Sequence, residues 1–194
     1  MNEEYLKVLY LETVSRILES MIAESPAQLD YNNLTLFDSH DIPPISIRDY
    51  LIRIMTYSRA TSRCMVMSLS YIDKLSNDDN CPVTLTRHNV HRLLAVSLMV
   101  ASKFYEDFYI DNDSWGTITG INLQETNRLE RKFLLYIGFD INTKFDWFIN
   151  YVQLLLSFAV ENGLIEEDVG RGILESILDA SVQELTGSDT GNAH

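Results

Sequence analysis

Hydrophobic residues recur every three or four positions along most of the chain, a spacing that places them on one side of an α-helix. The first such segment runs from Glu3 to Ala23. A second helix is predicted from about Ser46, and later ones at about 60–75, 86–106, 114–118, 122–137, 144–160 and 166–185. No segment alternates long enough to indicate a β-strand, so the predicted fold class is all-α.

The segment predicted at 86–106 differs from the others, because Leu93–Ser102 carries no charge on any side. A helix that is apolar all round is typical of the buried centre of a helical domain. Thr86 is predicted to be its N-cap. Asn122 and Glu125 have the spacing of a capping box for the helix at 122–137, and Gly138 is a natural stop for that helix.

Turn-forming residues and two adjacent prolines separate the first helix from the rest. The predicted organisation is an N-terminal helix at 1–25, a linker at 26–45, a helical core at 46–160, a C-terminal helix at 161–185 and a flexible tail at 186–194. Apolar linker residues are expected to pack onto the core; they are Leu34, Leu36 and Phe37.

Composition narrows the function classes. The 194 residues suit one domain. Asp and Glu total 28 against 15 Lys and Arg, a net charge of -13, which makes nucleic acids and anionic membranes poor partners. Two cysteines without metal-ligand spacing and an acidic amino terminus predict an intracellular location, cytoplasmic or nuclear. The longest uncharged apolar stretch is about half of the ~20 residues that span a bilayer.

Candidate catalytic chemistry is sparse. His88 and His91 are near enough on a helix to share a metal, but no third ligand stands at a recognisable spacing, so a structural role is favoured. Glu106 and Asp107 are adjacent, and adjacent helical side chains point about 100° apart. There is no phosphate-binding glycine loop and no nucleophile elbow. No catalytic residue, metal, cofactor or small-molecule substrate is predicted, and a small helical enzyme is the weaker alternative.

Lys103 and Glu130 are charged residues in apolar surroundings. Lys103 follows ten uncharged residues, although the helix dipole alone would favour a cation in a last turn. Glu130 lies in the middle of its helix, where a solvated carboxylate paired with a nearby Arg is the alternative. If the two helices pack as antiparallel neighbours, the charges come close at an exposed edge and form a directional docking site for another protein.

Three segments carry a resemblance to a known family. They are YIDKL at 71–75, LTRHNVHRLLAVSLMVASKFYEDFYIDNDSW at 85–115 and INLQETNRLERKFLLYIGFDI at 121–141. They resemble the cyclin box, specifically the phosphate-regulated P/U-type cyclins, over about residues 46–158. The resemblance implies a five-helix cyclin-box bundle with flanking helices, which binds and activates a cyclin-dependent protein kinase by moving the kinase's mobile N-lobe helix. With one further helix after residue 160, a single box is expected.

The resemblance also implies which residues meet the kinase. The family's interface lysine and glutamate fall on Lys103 and Glu130, and its apolar interface positions fall on Phe104, Leu134, Phe139 and Ile141. A cyclin-box adaptor in the transcription machinery shares the fold and is the alternative, but it should show a basic face, which a net charge of -13 argues against.

Overall fold

The computed structural model describes residues 2–23, 25, 34–78, 81–142 and 144–187, with 181–187 described by backbone alone. Within these ranges the chain forms eight α-helices and no β-strand, which confirms the all-α class. The helices are α1 Glu3–Ala23, α2 Ile47–Ser58, α3 Ser62–Ser76, α4 Val90–Tyr105, α5 Asn112–Thr119, α6 Leu123–Tyr136, α7 Phe145–Glu161 and α8 Glu167–Gly187. Six helices, α2 to α7, fall in the predicted core at 46–160, with α1 before them and α8 after.

Helix α4 is the centre of the molecule, as its uncharged sequence predicts. It packs against α2, α3 and α6. From Val90 to Ser102 every residue is buried except the half-buried Arg92. The hydroxyls of Ser68 and Ser97 share a 2.5 Å hydrogen bond between α3 and α4, so these two polar groups satisfy each other inside the core.

The predicted N-cap of α4 is wrong by three residues. Asn89 precedes the first helical residue, and Thr86 instead opens a turn in which its carbonyl accepts from the Asn89 and Val90 amides at 3.2 and 3.0 Å. The capping position of α6 is confirmed, because the Asn122 side chain accepts from the Glu125 amide at 2.9 Å. The Glu125 carboxylate does not return to Asn122, as a capping box would have it; it pairs with Arg92 at 2.5 Å.

The linker packs onto the core through Phe37, whose ring is fully buried against Phe133 and Tyr136, at centroid distances of 6.4 and 6.1 Å. Leu36 is partly buried against the same core. Leu34 was expected to pack as well and is instead exposed. The linker residues 26–33 lie outside the described part of the chain, as do residues 188–194 of the predicted tail, whereas 186–187 still belong to α8.

The two histidines fasten the linker to α4 and the turn before it. The His88 Nδ1 lies 2.9 Å from the Ser39 carbonyl oxygen, and the His91 Nε2 lies 2.9 Å from the Ile45 carbonyl oxygen. Both rings thus bind backbone, which accounts for them structurally. Among the described residues, no group of three or more His, Cys, Asp or Glu side chains is placed to share a metal ion.

Two carboxylates from distant parts of the chain meet at the start of α3. Glu3 accepts from the Ser62 amide at 2.6 Å and from its hydroxyl at 2.9 Å. Glu106 accepts from the Thr61 hydroxyl at 2.6 Å and the Cys64 thiol at 3.0 Å. Burial, and then the neighbouring Glu106 carboxylate, raise the pKa of the Cys64 thiol to about 12.

Anions are stabilised at a helix amino terminus, where the first amides lack partners. Glu106 therefore has a structural role at the start of α3, and its neighbour Asp107 is exposed. Glu106 and Asp107 therefore do not converge as an acid-base pair. No helix in the described ranges is long and apolar enough to cross a bilayer.

Candidate docking site

Lys103 and Glu130 form an ion pair between α4 and α6. The Lys103 Nζ lies 2.5 Å from the Glu130 Oε1, and their side chains are 25% and 18% exposed. The predicted approach of the two charges is confirmed, and the partner of Glu130 is this lysine rather than an arginine. The pair stays in reach of solvent, as a docking group must.

A third polar residue, Asn112 of α5, bonds to both members of the pair. Sequence reasoning missed it. Its only signal is a position at the start of a short helix, within the turn-like run Asp111–Asp113, where polar residues are common for local reasons. Which side chain it meets depends on how α5 packs, and the sequence does not state that.

The segment after α6 turns sharply through two consecutive left-handed residues. Gly138 has φ of 65° and Phe139 has φ of 55°. The left-handed region is open to glycine but is costly for a bulky side chain. The Phe139 amide donates to the Leu134 carbonyl at 2.8 Å, so this turn also closes the end of α6.

Two tyrosines hold the far end of this turn. The Tyr71 hydroxyl donates to the Ile141 carbonyl at 2.7 Å, and the Tyr105 hydroxyl donates to the same oxygen at 3.0 Å. Lys74 of α3 adds an ion pair with Asp140 at 2.6 Å. The turn is therefore fixed against α3 and the end of α4.

The predicted apolar interface positions divide into two kinds. Phe104 is 43% exposed and Phe139 is 60% exposed. Leu134 and Ile141 are partly buried and pack against the core. Leu135, which was not predicted, is 55% exposed on α6. Large apolar side chains in contact with water are typical of a protein-protein interface, and Phe104 directly follows Lys103 in α4.

Comparison with known proteins identifies relatives. A family model described as Cyclin matches residues 11–141. Cyclin-P3-1 of Oryza sativa subsp. japonica is 33% identical over 154 residues, which cover 77% of this chain and 64% of the relative. The PHO85 cyclin-like protein psl1 of Schizosaccharomyces pombe is 33% identical over 139 residues, which cover 72% and 57%. Cyclin-U4-1 of Arabidopsis thaliana is 32% identical over 164 residues, which cover 83% and 81%. The matched part thus spans less than two thirds of the first two relatives.

Proposed function

This chain belongs to the cyclin family, and from that we propose that it is a non-catalytic regulatory subunit that binds and activates a cyclin-dependent protein kinase. Cyclins are regulatory subunits, and the P- and U-type cyclins among the relatives agree with the resemblance in the sequence. The PHO85 cyclin-like relative supports a kinase of that class as the partner.

One observation carries the proposal: a partly exposed ion pair joins α4 to α6, and an exposed phenylalanine lies in the last turn of α4 and in the turn after α6. Lys103 and Phe104 are adjacent in α4, and the turn that carries Phe139 is bonded to Tyr105 through the Ile141 carbonyl. A cation, an anion and exposed apolar rings offer both directional bonds and buried area to a helix of another protein.

The mechanism that we propose is a population shift. The chain binds the active conformation of the kinase better than the inactive one, and so draws the mobile N-lobe helix inward. In that position the glutamate of the kinase helix pairs with the lysine that positions ATP. The cyclin contributes no reacting group.

The test is a binding and phosphorylation assay with a panel of purified cyclin-dependent kinase subunits. We expect the chain to bind one of them and to raise its phosphate transfer to a protein substrate. Lys103→Ala and Glu130→Ala should each weaken binding by about 1 to 3 kcal/mol, because each removes one charged anchor of the interface.

The matched control is Glu125→Ala. Glu125 also joins α6 to α4, at 2.5 Å from Arg92 and with a similar exposed fraction. Arg92 and Glu125 lie in the first turns of α4 and α6, whereas Phe104 and Phe139 lie in the last turn of α4 and after the end of α6. Glu125→Ala should leave kinase affinity unchanged. Phosphate transfer by the chain without any kinase would contradict the proposal. If Lys103→Ala lowers the melting temperature and not the affinity, the pair is structural.

We also propose that the chain acts inside the cell, in the cytoplasm or the nucleus. Cys64 and Cys81 are both free thiols, which suits a reducing compartment.

A further inference from the structure

The side-chain amide of Asn112 forms hydrogen bonds with both members of the Lys103–Glu130 pair and with Asn127. Its Oδ1 accepts from the Lys103 Nζ. Its Nδ2 donates to the Glu130 Oε2 at 2.7 Å and to the Asn127 Oδ1 at 2.6 Å. The amide oxygen thus meets the cation, and the amide nitrogen meets the anion.

This match depends on the chemistry of an amide. An amide has one acceptor oxygen and two N–H donors, so it can serve an ammonium and a carboxylate at the same time. The reversed orientation would place the oxygen against the Glu130 carboxylate and the donors against Lys103. A carboxylate in this position would repel Glu130, and an alkyl group would bond to neither charge.

The helix that carries Asn112 is firmly placed. Its N-cap Asp111 accepts from the Ser114 amide at 2.8 Å. Trp115 buries its ring in the core one turn later. At Gly116 an added Cβ would lie 2.5 Å from the Ile121 carbonyl oxygen, so only glycine permits this close approach to the segment that enters α6. Asn112 is therefore held at a fixed distance from α6.

We propose that Asn112 is a positioning residue, which holds Lys103 and Glu130 in the arrangement that the kinase binds. This inference rests on the proposed function. Lysine and glutamate lose much side-chain freedom when an interface orders them, and that loss weakens binding. Bonds from Asn112 order both side chains before the partner arrives, so the loss is smaller on binding.

The test uses two substitutions at one position and a control on the same helix. Asn112→Ala removes all three bonds, and Asn112→Asp keeps the size but faces Glu130 with a second carboxylate. We expect each substitution to lower the affinity for the kinase that the chain activates by roughly 3- to 30-fold. The affinity of Asn112→Asp should be no higher than that of Asn112→Ala. Thr117→Ala, at an exposed position of α5 whose hydroxyl donates to the Asp113 carbonyl, should bind like the wild type.

A double-mutant cycle separates positioning from general damage. In a Lys103→Ala background, Asn112→Ala should cost much less affinity than in the wild type, since one of its two targets is gone. Additive losses would overturn the proposal. So would wild-type affinity in both Asn112 variants, or an equal loss of affinity in Thr117→Ala.

A measurement without kinase keeps the inference distinct from the proposed function. NMR relaxation of the Lys103 ε-methylene in the free chain should show faster motion in Asn112→Ala, which removes the acceptor of the Lys103 ammonium, than in the wild type or Thr117→Ala. Unchanged relaxation refutes the positioning role even if every kinase of the panel fails to bind. If kinase binding depends on Lys103 but not on Asn112, the proposed function stands and the inference fails.

Discussion

Phe139 should reduce the stability of the free chain while it increases affinity for the partner. Its φ of 55° lies in the left-handed region, which costs a residue with a Cβ about 1 to 2 kcal/mol. Glycine avoids that cost but loses about 0.5 to 1 kcal/mol more backbone entropy on folding. Phe139→Gly should therefore be more stable than Phe139→Ala by about 1 kcal/mol, because both lack the ring and differ only at the backbone.

The same ring is 60% exposed, so most of its surface is still available for burial. A phenylalanine offers about 200 Å², and at about 25 cal/mol per Å² the exposed part is worth up to about 3 kcal/mol in a complex. Both variants should thus lose kinase affinity by a similar amount, although they differ in stability.

Urea unfolding of the free chain, followed by circular dichroism, measures the difference in stability, and a kinase titration measures the affinity. Val8 is the matched control, because it is also well exposed but lies inside α1. There glycine should be less stable than alanine by about 1 kcal/mol, the opposite sign. Equal stability of Phe139→Gly and Phe139→Ala would refute the argument from backbone strain.

Two further predictions concern the core. Leu98→Ala should cost about 2 to 5 kcal/mol of unfolding free energy, because Leu98 is fully buried in α4, whereas the exposed Leu135→Ala should cost far less; an unchanged unfolding curve for Leu98→Ala would contradict the central place of α4. Burial lowers the pKa of His91, and among the described residues its buried Nδ1 has no hydrogen-bond partner, so the unfolded chain takes up a proton more readily than the folded chain. The stability from neutral His91 is complete above the ordinary pKa of about 6.5 and is lost as pH falls toward the lowered folded value. Urea unfolding at several pH values should show this loss in the wild type and a flatter dependence in His91→Phe.

Helix positions were predictable from the sequence because burial imposes a 3.6-residue period on the apolar side chains. That argument places α1 from Glu3 to Ala23 as the structure has it. The choice of Thr86 as N-cap places the start of α4 three residues early, because Thr86 has the right chemistry for an N-cap but an extra turn intervenes. Local capping preference cannot decide between two suitable residues when tertiary bonds hold one of them. Here the Asn89 side chain is held by Asp38 of the linker, at 2.9 Å.

The charged pair was predictable for a different reason. Lys103 and Glu130 stand out because charge is costly among apolar residues, so each calls for a partner or for solvent. Asn112 does not stand out, because an asparagine in a turn is ordinary. The tyrosine bonds to the Ile141 carbonyl are equally invisible in sequence, since any residue supplies that oxygen and only packing selects which one.

The Lys103–Glu130 pair is partly exposed and the core of α4 is buried, and this difference in burial decides how the site can be tested. Partly exposed ion pairs contribute about 0 to 1 kcal/mol to folding. Leu98, by contrast, contributes to the core whatever the chain binds. Substitutions at the pair should therefore change affinity with little change in unfolding, and substitutions in α4 should change unfolding first. If the two sets of variants cannot be separated in this way, the edge between α4 and α6 is part of the fold and not a docking site.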